Sequence, residues 1–188
     1  LINNDFQNNI YNILASLAVM SIYIDIFKLK RNIFLDFKTP DGRGDISKIK
    51  INKKKINLID ESYNSNPLSL QFAINKLNSI NSKSKSKLIL LGDMLELGKY
   101  SKKLHIEAAR YVNSTNIDKV YVYGKDIIET FNKIKPQKRG KILNSKKDIL
   151  NFIINDIKDG EYLMIKGSNS TGLNKISQSL KVGKTNAF

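Results

Sequence analysis

Three times this chain passes from a short apolar run through a polar loop into a pattern of helical period. The segments are Leu58-Ile59-Asp60-Glu61-Ser62-Tyr63-Asn64-Ser65-Asn66-Pro67, Leu88-Ile89-Leu90-Leu91-Gly92-Asp93-Met94-Leu95-Glu96-Leu97-Gly98 and Leu163-Met164-Ile165-Lys166-Gly167-Ser168-Asn169-Ser170-Thr171-Gly172. Each reads as a strand, a loop and a helix start. The runs at 88–91 and 162–165 are continuously apolar, as strands covered on both faces should be. Strands alternating with helices imply right-handed crossovers and a mostly parallel sheet with helices on both faces, an α/β fold. Such sheets gather the loops at their carboxyl ends along one rim, where ligands bind, so function is sought there.

The same reasoning extends along the chain. Strands are expected near 46–51, 56–59, 88–91, 120–123, 141–143 and 162–165, with the first two forming a hairpin through 52–55. Helices are expected near 68–80, 102–113, 126–134, 146–157 and 171–180. Ahead of them, Ile10, Ile13, Leu14, Leu17, Ala18 and Ile22 recur at helical spacing, which predicts a helix over 8–23 with one buried face. A second helix is expected over 25–37. Lys38-Thr39-Pro40-Asp41-Gly42-Arg43-Gly44 then breaks every period and marks a boundary between segments 1–40 and 41–188.

Composition removes several classes of function. The chain of 188 residues has no cysteine, hence no disulfide framework or thiolate chemistry, and its one histidine argues against a multi-histidine metal site. The formal charge is +15 but comes almost entirely from lysine; Arg31, Arg43, Arg110 and Arg139 are the arginines. Groove and phosphate recognition favours the planar guanidinium, and the lysines are spread along the chain, so no nucleic-acid partner is expected. Asn12, Ser16, Ser21 and Asp25 interrupt the apolar stretch 10–27, which is not expected to insert in a membrane. No basic n-region or small-residue cleavage pattern marks a signal peptide. Because the chain begins at Leu1, it is read as a piece of a longer protein.

In the first loop, Asp60 and Glu61 close an apolar run, where a carboxylate can accept from a ribose diol or simply cap its own turn; spacing does not choose between the two. Asn64 and Asn66 offer paired donors and acceptors, Asn66 suits an N-cap, and Pro67 suits the first helical position. In the second loop, Gly92 permits a close backbone approach, and Asp93 either orients a polar substrate group or holds backbone amides. His105 falls in a helical pattern between Leu104 and Ile106, where a structural role is the expectation. In the third loop an ammonium, serine hydroxyls and backbone amides converge ahead of a helix, either a competent carboxylate or phosphate site or a simple serine N-cap. It is not a P-loop, because Lys166 precedes Gly167. Gly183-Lys184-Thr185 has no helix-length segment after it and is set aside as chance.

In their order, these loops and Gly42-Arg43-Gly44 resemble the C-terminal part of the Mur ligase family, and Asn9-Ile10-Tyr11-Asn12 resembles the helix near the end of that family's ATP-binding central domain. The resemblance implies a Rossmann-like domain over 41–188, preceded by a helical remnant of the central domain over 1–40. It also implies an ATP-dependent amide ligase of peptidoglycan precursor synthesis, cytoplasmic and monomeric, that joins D-alanyl-D-alanine to UDP-N-acetylmuramoyl-tripeptide through an acyl phosphate. By the same resemblance, Arg43 reaches the ATP phosphates as a catalytic cation. Asn9, Asn12, Asp60, Glu61, Tyr63 and Asn64 then belong to the nucleotide side, with Glu61 at the ribose-binding position. Asp93, Lys166 and Ser168 lie near the dipeptide. Mg²⁺ is implied, with its ligands upstream of Leu1.

Departures from the family pattern are Asn8 in place of histidine, Glu61 in place of aspartate and Asn169 in place of arginine. The longer Glu61 is expected to need a small loop shift to keep a ribose contact, and Asn169 removes a charge from the acceptor side. No helix-opening Gly-Lys-Thr loop is present, so this segment alone is not expected to catalyse ligation. Two rivals make different predictions. A basic α/β nucleic-acid module would bind polynucleotides tightly and lose them steeply with salt. A stand-alone nucleotide-binding regulatory domain would bind ATP tightly by itself.

Overall fold

The computed structural model describes residues 7–30, 33, 41–83 and 85–183. The chain forms two compact units, Leu1–Pro40 and Asp41–Phe188. In the first, helix α1 spans Gln7–Met20 and is followed by a 3-10 turn at Ile26–Lys28, whose start is capped by the Asp25 carboxylate accepting from the Phe27 amide at 3.1 Å. The apolar stripe of α1 is not the buried face expected. Ile13 is buried and Ile10 and Leu17 are half-buried, but Leu14, Ala18 and Ile22 are exposed. Such a stripe needs a second layer to cover it, and the described part of this unit offers only one short turn. Of the helix expected over 25–37, the described residues contain that turn alone, and residues 31–32 and 34–40 lie outside them.

The second unit follows the expected alternation. Its elements are β1 (Asp45–Ile51), β2 (Lys54–Glu61), α2 (Pro67–Ser79), β3 (Lys87–Gly92), α3 (Ser101–Asn113), β4 (Lys119–Tyr123), α4 (Ile127–Lys133), β5 (Arg139–Ile142), α5 (Lys146–Asn151), β6 (Tyr162–Lys166) and α6 (Leu173–Lys181). The strands lie in the order β1-β2-β6-β3-β4-β5. β1 is antiparallel to β2 and the other pairs are parallel. The β1–β2 hairpin turns at Asn52, whose φ of 54° is one asparagine tolerates. α2 opens as anticipated: Asn66 and Ser69 exchange reciprocal hydrogen bonds and Pro67 takes the first helical position. α5 is shorter than its pattern. From Phe152 to Asp156 the backbone widens into a π turn, and the Phe152 ring stacks on Tyr121 at 3.7 Å between centroids.

Because successive strand residues face opposite ways, each continuous apolar run serves two cores. Ile59, Ile89, Leu91, Val120, Val122 and Met164 pack under α2, α3 and α4, whereas Leu58, Leu88, Leu90, Leu163 and Ile165 pack under α5 and α6. Each such side chain contributes about 1.5–3 kcal/mol by leaving water, which is why polar alternation is absent there. The register sets Glu61 beside Lys166, Lys166 beside Leu91, and Gly92 beside Tyr123. The three polar loops therefore leave the sheet along one rim.

Candidate functional site

The connector reaches this rim through two glycines. Gly42 and Gly44 have φ of 77° and 91°, a region L side chains avoid. The Gly42 carbonyl accepts from the Tyr63 amide at 3.1 Å, and the Gly44 amide donates to the Asp60 carbonyl at 2.6 Å. Lys76, from α2, donates to the Gly44 carbonyl at 2.7 Å. A Cβ on Gly44 would stand 2.5 Å from Glu61 Oε1 and 2.7 Å from Lys76 Nζ, so glycine there lets the Glu61 carboxylate lie across the connector. Between the glycines, Arg43 points outward, its guanidinium 4.3 Å over the exposed Tyr63 ring.

Lys166 is 1% exposed; its ammonium donates to the Asn64 carbonyl at 2.9 Å and lies 3.9 Å from Glu61 Oε2. Burial pushes the Glu61 carboxyl above its ordinary value, with Lys166 and Lys76 opposing the shift. Burial likewise pushes Lys166 below its ordinary value, opposed by Glu61. The two groups form a desolvated pair, each holding the other's charge. Glu61 keeps 14% of its side chain exposed.

Ser168 fastens the three loops together. Its hydroxyl accepts from the Leu95 amide at 2.8 Å and donates to the Ser65 carbonyl at 3.3 Å, and its amide donates to the Asp93 carbonyl at 3.0 Å. The Asp93 carboxylate accepts from the amides of Ile127 at 2.7 Å and Lys125 at 3.0 Å, so it caps the start of α4. His105 is buried; its Nε2 accepts from the Met94 amide at 3.1 Å, which leaves the proton on Nδ1, 2.9 Å from the Ser101 carbonyl. Asp93, Lys166 and Ser168 therefore do meet at the rim, but their polar atoms hold loops in place. Asp93→Ala should remove a cap worth about 1–2 kcal/mol and release the Lys125 and Ile127 amides to faster hydrogen exchange; unchanged exchange there would contradict the capping role.

Space for ligands lies beside these anchors. Tyr63, Asn64, Leu95, Glu96, Ser168, Asn169 and Ser170 line a cleft of about 280 Å³. A second, of about 440 Å³, shares Leu95 and Ser170 and extends to Tyr123, Lys125, Leu143 and Asn144. Sequence reasoning singled out none of Leu95, Glu96, Tyr123, Leu143 or Asn144. Their signal was position alone: each follows or ends a strand on the rim.

Asp60 faces away from the clefts. It is 1% exposed, its Oδ1 accepting from the Ser62 amide at 3.1 Å and hydroxyl at 2.5 Å, its Oδ2 lying 2.7 Å from Lys181 Nζ. Burial pushes its carboxyl up, but the hydrogen bonds from Lys181 and Ser62 more than offset that and leave it below its ordinary value. Burial pushes Lys181 down, and its bonds to Asp45 and Asp60 leave it raised. A depressed carboxyl stabilises the fold above its unfolded value and loses that effect on acidification; a raised lysine stabilises below its unfolded value and loses it on alkalinisation. The stability advantage of wild type over Lys181→Met should therefore be complete between 3.8 and 10.5, the ordinary values of the two groups, and shrink outside that window on either side. Chemical denaturation across pH measures this, and a constant difference at all pH values would refute it.

The remaining expected residues lie in the first unit. Asn12 is exposed, its carbonyl accepting from the Ser16 hydroxyl at 2.8 Å; Asn9 lies in α1, and its side chain is outside the described part. Lys184 and Thr185 are also outside the described residues. Among the described residues, no three His, Cys, Asp or Glu side chains group as metal ligands, and no helix is long and apolar enough to cross a membrane.

The family model described as the glutamate ligase domain of Mur ligases matches residues 46–169. The chain is similar to the UDP-N-acetylmuramoyl-tripeptide–D-alanyl-D-alanine ligase of Bacillus subtilis, with 31% identity over 66% of this chain and 28% of that protein. It is similar to the ligase of the same name from Rickettsia prowazekii, with 28% identity over 91% of this chain and 36% of that protein. Its fold matches the crystal structure of a MurF ligase from Thermotoga maritima in complex with ADP, with a TM-score of 0.66 and 25% identity, covering 92% of this chain and 38% of that one. The chain thus spans about a third of the length of these relatives.

Proposed function

The chain belongs to the Mur ligase family, and from that membership we propose that it serves as the C-terminal part of an ATP-dependent amide ligase of peptidoglycan precursor synthesis. The substrates of this reading are ATP, UDP-N-acetylmuramoyl-tripeptide and D-alanyl-D-alanine, and its setting is the cytoplasm. The observation that carries it is the shared rim: one parallel register brings Glu61, Lys166 and the Gly92-Asp93 turn together, with Arg43 stacked beside them.

In this reading Arg43, Glu61, Tyr63 and Asn64 form the C-terminal half of the nucleotide site. A carboxylate near a ribose diol accepts two hydrogen bonds, and an exposed guanidinium suits phosphate oxygens. Asp60, turned inward, acts on Ser62 rather than on the nucleotide. Asn9 and Asn12, on α1, belong to the central-domain side. The Leu95–Ser170 clefts receive the amine substrate, while Asp93, Lys166 and Ser168 hold their walls.

ATP transfers its γ-phosphoryl group to the terminal carboxylate of the tripeptide, releasing ADP. The amine nitrogen then attacks the acyl phosphate carbon, the carbon–oxygen bond to phosphate breaks, and the amine gives up a proton. Cationic groups aimed at the phosphates stabilise charge that develops in both steps. Among the described residues no three His, Cys, Asp or Glu side chains group as metal ligands, and no step here is assigned to Mg²⁺.

The decisive experiment pairs two measurements. Titrating the 188-residue chain with ATP should give weak binding, with NMR shifts concentrated at Arg43, Glu61, Tyr63 and Asn64. Amide ligation should require the central and UDP-binding domains joined to it. Tight ATP binding by the chain alone would favour a regulatory nucleotide-binding domain, and shifts elsewhere on the molecule would overturn the site.

A further inference from the structure

Lys181, in the last turn of α6, bridges two carboxylates: its Nζ lies 2.6 Å from Asp45 Oδ2 and 2.7 Å from Asp60 Oδ2. Each carboxylate uses its other oxygen on a neighbouring backbone amide. Asp45 Oδ1 accepts from Gly42 at 3.2 Å, and Asp60 Oδ1 accepts from Ser62 at 3.1 Å. Gly42 precedes Arg43 and Ser62 precedes Tyr63, the two members of the guanidinium–ring stack. One ammonium therefore holds both flanks of that stack. The Gly42 carbonyl, which accepts from the Tyr63 amide at 3.1 Å, ties the flanks to each other.

From this geometry we propose that Lys181 is a positioning residue: by clamping Asp45 and Asp60 together it fixes the Arg43-bearing connector to the end of β2 and presents the guanidinium in a set orientation. Without the ammonium, two carboxylates that converge on one point repel each other. The Asp60 side chain is buried and cannot escape to water, so the relief falls on Asp45 at the start of β1, and with it on Gly42. The connector then loosens while the helices and the parallel strands keep their packing. The functional importance of this rests on the nucleotide reading of Arg43, but the clamp itself does not.

The test uses the chain as it stands. In wild type the Arg43 guanidinium lies 4.3 Å over the Tyr63 ring, so the ring current should shift the Arg43 side-chain protons upfield. Lys181→Met should retain a dispersed NMR spectrum, lose most of that shift, and raise hydrogen exchange at the Gly42 amide about tenfold, the scale set by a charge-assisted hydrogen bond. Lys181→Arg, which keeps the charge and two-pronged donors, should restore both. Asp45→Ala should free Gly42 and leave Ser62 protected, because the Lys181–Asp60 contact survives. A folded Lys181→Met chain that keeps the upfield shift and exchanges Gly42 within about twofold of wild type would overturn the proposal. If Lys181→Met fails to fold, Asp45→Ala decides: an unchanged stack refutes the clamp and a loosened one supports it. Adding ADP separates the two ideas. Arg43 signals that ignore ADP while the variants behave as stated would remove the nucleotide reading and leave the clamp standing.

Discussion

Lys166→Met should lower the stability of the second unit by about 3 kcal/mol, the low end of what removing one partner of a buried ion pair costs. The low end applies because Lys76 also faces Glu61 and because Glu61 is partly exposed. Two groups are orphaned at once: the Asn64 carbonyl loses its donor, and the Glu61 carboxylate loses its nearest cation. Glu61 already has a carboxyl raised by burial. A raised acid favours the fold where it is protonated and ceases to do so as pH climbs through its folded value. The deficit of Lys166→Met should therefore widen from acidic to neutral pH, and Glu61→Gln in the same chain should recover part of it. Urea unfolding at two pH values measures this. A deficit below about 0.5 kcal/mol, the range of ordinary surface substitutions, would mean that the ammonium is not held as the geometry indicates.

The second large effect concerns chemistry. In a full-length ligase that includes this chain, Arg43→Ala should reduce kcat by about 10²–10³, the range for removing one preorganised charge-stabilising group. The KM for D-alanyl-D-alanine should change much less than kcat, because Arg43 lines neither cleft. Arg43→Lys should recover little: an ammonium does not fork onto two phosphate oxygens, and it replaces the planar guanidinium that lies over Tyr63. Stability should hardly change, since Arg43 is exposed. A kcat within about threefold of wild type would lie far outside that range and remove Arg43 from the phosphate role.

The architecture was legible because hydrophobic period and loop chemistry agree at each strand. Continuous apolar runs such as 88–91 can be satisfied only by cover on both faces, and 58–61 ends where solvent begins. Individual roles were harder to see. Asp60 and Glu61 are neighbours with the same chemistry, and the order of residues does not say which faces the rim; strand alternation assigns Glu61 to the lysines and Asp60 to Lys181. Asp93 and Ser168 stood at the right place, but spacing cannot reveal that amides from another loop already occupy their oxygens. Lys76 and Lys181 drew no notice because, among 32 basic residues, a lysine on a helix looks like solvated surface. Their partners come from β1, β2 and the connector, so only the fold makes them distinctive. The α1 stripe failed in the opposite way: its period is correct, but period says nothing about whether a partner layer is at hand.

The place of β6 carries a consequence for how the molecule comes into being. Among the described residues, the strand latest in the chain slots between β2 and β3, pairing Asn57 with Tyr162 and Lys87 with Tyr162. Until it arrives, the sheet is two separate pieces with raw edges, and no pair of the three loops can touch through Ser168. A nascent chain on the ribosome accordingly holds a hairpin and an incomplete layer of crossovers, both open to wrong pairing. Premature stop codons anywhere before β6 should leave nothing that resembles half a working pocket, only aggregation-prone intermediates for chaperones and proteases to clear.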